Sequence, residues 1–213
     1  GIARLEEPGS VATPMAETRK NLITQKRSFL VTGGTGSGKT TVLAALLGLV
    51  PTHERMVIVE DSEELRPAHP HVVGLVARAA NAEGVGAVSL RDLVRQALRM
   101  RPDRLVVGEV RGGEVVDLLA ALNTGHEGGC GTVHANAPAD IPARLEALGI
   151  AAGLSREAVH AQAAAALDAV VHVVRRPGGR REVAQIASIE ADSSGRLVVV
   201  SQLEIVDGQV VGP

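Results

Sequence analysis

The chain has 213 residues, 45% of them hydrophobic, with 22 Lys and Arg against 24 Asp and Glu and a net charge of −2. That is enough apolar material for one sizeable core, and the near-neutral balance argues against a protein whose main role is to coat nucleic acid. Phe29 is the only aromatic residue and Cys130 the only cysteine; aromatic stacking platforms and an internal disulfide are both excluded, and a reducing, cytoplasmic setting fits.

Residues 1–28 read as a linker with one short polar helix near Pro14 to Gln25. From residue 29 onward, strands and helices alternate, the pattern of an α/β domain with a mostly parallel central sheet. The expected strands are Phe29–Thr32, Met56–Glu60, Val72–Val76, Leu105–Gly108, Gly131–His134 and Ala169–Val174. The expected helices are Lys39–Leu49, Ser89–Met100, Gly113–Leu122, Ala139–Leu148 and Ser155–Leu167. Alternating segments at Glu182–Glu190 and Arg196–Ile205, joined through Asp192-Ser-Ser-Gly195, read as a C-terminal β-hairpin. The basic stretch Arg175–Arg181 ahead of it reads either as a solvated turn or as a contact for a partner or an acidic lipid surface.

The first strand runs into Gly33-Gly-Thr-Gly-Ser-Gly-Lys-Thr-Thr41, in which Gly33, Gly38, Lys39 and Thr40 match the loop that cradles nucleotide phosphates. Glycines let backbone N–H groups close on an anion, and the following helix N-terminus adds partial positive charge. Gly33, Gly34, Thr35, Gly36, Ser37, Gly38, Lys39, Thr40 and Thr41 are therefore the candidate nucleotide-binding residues. Lys39 is expected to reach the β/γ-phosphates, with the Thr40 hydroxyl on Mg²⁺.

Two apolar strands end in carboxylates: Met56-Val-Ile-Val59 runs into Glu60-Asp61, and Leu105-Val-Val-Gly108 into Glu109. Functional side chains gather past the carboxyl ends of strands in such sheets, and hydrolysis needs a carboxylate to orient or deprotonate water. Ser89–Met100 places Arg91, Arg95 and Arg99 four residues apart on one face, a repulsive arrangement unless an anion or an acidic surface faces it. His126 and His134 bracket a strand of small residues, inviting a phosphate-sensing role for the pair. Zinc-like spacing is missing.

These blocks together resemble the traffic ATPases of the type II/type IV secretion superfamily, closest to the tight-adherence pilus assembly branch. The resemblance runs from about residue 12 to residue 176. It rests on Gly33–Thr41, on Ile58-Val-Glu-Asp-Ser-Glu-Glu-Leu65, on Arg101–Gly112 with Gly-Glu-Val-Arg-Gly, and on Thr124–Asn136 with Thr-Val-His-Ala-Asn. It implies a RecA-like motor over residues 29–213. Glu60 would act as catalytic base, Glu109 on Mg²⁺ and water, and Arg78, Arg91, Arg99 and Arg111 around a nucleotide at a subunit boundary. It also implies a homo-hexameric ring at the inner face of the cytoplasmic membrane, turning over ATP to work on an inner-membrane platform protein. With only 28 residues ahead of the motor, the chain is expected to be a motor-domain fragment. An ATP-binding regulatory module with little turnover, and a nucleic-acid translocase, remain the competing readings.

Overall fold

The structure, a computed structural model, describes residues 13–206 and 209–212. The described chain forms one nine-stranded sheet in the order β3-β2-β4-β5-β1-β6-β7-β8-β9. The strands are β1 Phe29–Gly33, β2 Met56–Glu60, β3 Val72–Val76, β4 Arg104–Val107, β5 Cys130–His134, β6 Ala169–Arg175, β7 Arg181–Ala191, β8 Leu197–Val206 and β9 Gln209–Val211. All pairings from β3 across to β6 are parallel, and those from β6 to β9 are antiparallel. The helices are α1 Thr13–Thr24, α2 Lys39–Leu47, α3 Leu90–Arg99, α4 Glu114–Leu122, α5 Ile141–Ala151 and α6 Arg156–Ala166.

The central strands are buried on both faces, which is why they read as continuous apolar runs instead of alternating ones. Leu30, Val57, Val59, Leu105 and Val107 join α3, α4, α5 and α6 in one cluster. Phe29, Val31, Met56, Ile58 and Val106 join α1 and α2 in the other.

The α/β reading with a mostly parallel sheet and a C-terminal hairpin holds, with element ends displaced by three residues or fewer. The hairpin β7–β8 is no appendage, because β7 pairs along β6 and continues the main sheet; β9 adds a strand that periodicity did not show. The polar helix expected near Pro14 is α1, and Met15, Leu22 and Ile23 bury their side chains in the α2-side cluster.

Candidate phosphate-loop site

At the carboxyl end of the parallel strands lies a cleft of about 500 Å³, lined by Thr35, Gly36, Gly38, Lys39, Thr40, Thr41, Glu60, Asp61, Ser62, Glu64, Gly108, Glu109, Arg111, Thr132, His134 and Arg181. The loop between β1 and α2 forms its floor. Gly38 caps α2 at φ 100°, a left-handed conformation that a side chain would strain. Gly33, Gly34 and Ser37 belong to the loop but are not among the residues that line the cleft. The Lys39 ammonium donates to the carbonyls of Gly33 and Gly34 at 3.0 and 3.1 Å, which holds it across the loop. Burial lowers its pKa, partly offset by the charge of Glu109.

Glu60 ends β2 and is 6% exposed. Its carboxylate accepts the backbone N–H of Leu65 at 3.0 Å and that of Glu64 at 3.3 Å, so the chain after β2 folds around it. Burial pushes its pKa up, with the charges of Glu64 and Glu63 adding to the rise, while the two backbone N–H groups work against it. Gly108 is what admits this carboxylate: a Cβ there would lie 2.6 Å from Glu60 Cγ. The turn that follows β4 is held from three sides. Gly108 N donates to Val59 O at 2.8 Å, Thr132 Oγ1 donates to Gly108 O at 2.7 Å, and Glu114 Oε1 accepts from the N–H groups of Arg111 and Gly112.

Glu109 and Arg111 thus project from a fixed turn. Arg111 hydrogen-bonds Asp61 and lies 3.7 Å from Glu109, and the Asp61 carboxylate is the main cause of its raised pKa. His134 ends β5 in register with Gly33, beside the loop. One strand further along, Thr32 and His172 form a buried pair at 2.9 Å that underpins the strand before the loop. Burial lowers the His172 pKa, which favours the neutral imidazole.

Several of the expected residues are therefore brought together: Thr35, Gly36, Gly38, Lys39, Thr40, Thr41, Glu60, Glu109, Arg111 and His134 share one cleft. Others stand apart. Arg91 and Arg95 both bind Asp117 of α4, at 2.6 and 2.8 Å, so the acidic group facing that arginine row comes from the same chain. Neither they nor the exposed Arg99 line the cleft of their own chain. Arg78 closes a small loop by donating to Gly86 O at 2.8 Å. His126 precedes β5, at the opposite end of the strand from the phosphate loop, so only His134 of the two histidines is near enough to meet a phosphate there.

Asp61, Ser62, Glu64, Gly108, Thr132 and Arg181 also line the cleft and were not candidate site residues; of these, Arg181 alone lies outside the four motif blocks. Arg181, at the start of β7, reaches the loop from the far side, and its only signal was membership of the basic Arg175–Arg181 stretch.

A mostly parallel sheet with a phosphate-type loop after β1 and acidic strand ends beside it defines a RecA-like phosphate-loop domain. Residues 2–202 match the family model described as Type II/IV secretion system protein, and the chain belongs to that family. A Mycobacterium tuberculosis protein named for conjugal transfer is 58% identical over 200 residues, covering 94% of this chain and 56% of that protein. Among solved structures, the VirB11 ATPase of the Brucella suis type IV secretion system, in complex with sulphate, matches with a TM-score of 0.72 and 30% identity, over 82% of this chain and 52% of that one. The pilus retraction motor PilT with bound ADP matches with a TM-score of 0.61 and 26% identity, over 93% of this chain and 52% of that one. The chain thus spans about half the length of these relatives.

Proposed function

We propose that this chain binds ATP with Mg²⁺ in the phosphate-loop cleft and hydrolyses it, as the motor of a secretion or pilus assembly system. The observation that carries the reading is the meeting of Lys39, Thr40, Glu60 and Glu109 around one loop. The relatives support it: VirB11 is named an ATPase, and PilT is named a motor and was solved with ADP.

The residues fit the cation. Thr40 and Glu109 offer hard oxygen donors, and no group of three or more His, Cys, Asp or Glu side chains gathers as a metal cage among the described residues. That suits Mg²⁺, which takes one or two protein oxygens and otherwise keeps waters and substrate phosphates. When bound, the ion neutralises charge on the β- and γ-phosphates.

The protein's own groups do the remaining work. Lys39 carries a positive charge to the β/γ-phosphates and the loop N–H groups hold the α/β pair. Glu60 faces the cleft as a buried carboxylate of raised proton affinity, fixed by two backbone donors, and accepts the proton of the attacking water. This placement favours turnover over a module that only binds. His134 stands beside the loop to register the terminal phosphate. Because Arg91 and Arg99 lie away from their own cleft, any contact they make with a nucleotide crosses a subunit boundary. In this reading the working assembly is a homo-hexameric ring that acts on an inner-membrane platform protein from the cytoplasmic face. No described helix is long and apolar enough to cross a membrane.

Lys39→Ala tests the assignment of the loop. Loss of a charge-assisted contact worth about 1.5–3 kcal/mol should weaken ATP binding tenfold or more without unfolding the domain. Equal ATP affinity in variant and parent, by calorimetry, would remove the nucleotide reading.

A further inference from the structure

The cations around the phosphate loop are unequally engaged. Arg111 is taken up by Asp61 and Glu109, and Arg176 and Arg180 both grip Glu182, at 2.5 Å each. Arg181, the next residue along, is exposed and has no ion pair or side-chain hydrogen bond among the described residues, although it lines the cleft.

Its position is built by the backbone. The turn between β6 and β7 closes through Arg176 N donating to Arg180 O at 2.8 Å, and Gly178 and Gly179 take φ of 84° and 85°. The double clamp on Glu182 pins both flanks of this turn. The register then sets Arg181 directly opposite Arg175 on the neighbouring strand. Like charges facing each other across a strand pair are destabilising, and no carboxylate relieves this pair among the described residues. An anion would.

The side chain also points at a particular part of the loop. A Cβ on Gly38 would come within 2.8 Å of Arg181 Cδ, so the stem of Arg181 lies over the backbone at the start of α2. Gly38 belongs to the stretch whose N–H groups cradle the α- and β-phosphates. Glu60 ends β2 and Glu109 follows β4, on one side of β1, whereas Arg181 begins β7, two strands away on the other side. The carboxylates and Arg181 therefore flank the loop from opposite sides.

We infer that Arg181 is a nucleotide-binding residue of its own subunit, whose guanidinium takes α- and β-phosphate oxygens from the flank opposite Glu60 and Glu109. A planar fork of donors suits phosphate oxygens better than a point charge does. The inference rests on the nucleotide reading above and adds a site residue in cis, carried by the first strand of the antiparallel extension.

Calorimetric titration of the parent, Arg181→Ala and Arg181→Lys with ADP and with ATP tests it. Arg181→Ala should weaken both nucleotides on the order of tenfold, by about the same factor, and Arg181→Lys should recover part of the loss. Parent-like affinity for both nucleotides in Arg181→Ala would overturn the assignment. So would a loss confined to ATP, which would put Arg181 at the γ-phosphate instead. A parent that binds neither nucleotide would remove the nucleotide reading itself, and this one with it.

Discussion

Glu60 shows how one residue gathers its chemistry from several elements. Its strand carries it to the sheet edge, Gly108 makes room for it, and the chain at Glu64 and Leu65 donates to it. Burial is the main reason its pKa is raised. For an acid with a raised pKa the active carboxylate fills only as pH climbs through that raised value. The account therefore predicts that the acid limb of the hydrolysis rate falls above the ordinary glutamate range, about 4.3, and that Gly108→Ala, by crowding this carboxylate, shifts or abolishes that limb. A pH–rate profile checks it; a limb at the ordinary value would mean that Glu60 is not the base. Stability carries the opposite sign. A raised folded pKa gives stabilisation that is present below the unfolded pKa and lost as pH rises through the folded one, so ionised Glu60 is a cost borne at neutral pH.

At the scale of elements, the phosphate loop and its two acidic neighbours were legible because each sits where an apolar run stops. Phe29–Thr32 stops at glycines, Met56–Val59 at Glu60, and Leu105–Gly108 at Glu109, and such boundaries are local signals. What stayed hidden depends on residues distant in sequence. Asp117 pairs with both Arg91 and Arg95 from 26 and 22 residues away. Arg181 enters the cleft only because β7 pairs with β6. Arg104 is another case: it is fully buried, donates to Glu54 at 2.6 Å and to Ile23 O at 2.8 Å, and so ties β4 to the end of α1. Nothing in the sequence around Arg104 announces a buried ion pair. Removing Arg104 leaves the buried Glu54 carboxylate with only the half-exposed Lys26, 3.7 Å away, so Arg104→Ala should cost about 3–5 kcal/mol in denaturant unfolding, with a smaller loss when Glu54 is replaced by an apolar residue in the same chain. A loss below about 1 kcal/mol, as for an exposed pair, would show that α1 is not held by this link.

For the whole molecule, the sheet divides the labour. The parallel half, β3 to β6, presents loop and carboxylates at one edge, and the antiparallel half, β6 to β9, extends from the same edge with Arg181 at its start. In the proposed arrangement, Lys39 on one flank and Arg181 on the other would couple a bound nucleotide to both halves of the sheet. The central claim is that the cleft hydrolyses ATP with Glu60 as base. It is tested most directly by measuring ATP affinity and phosphate release side by side for the parent and Glu60→Gln. The amide can still accept the Leu65 and Glu64 N–H groups but cannot take a proton from water. The account predicts ATP bound about as tightly as by the parent and turnover slowed by about 10²–10⁴-fold; unchanged turnover in Glu60→Gln would contradict it.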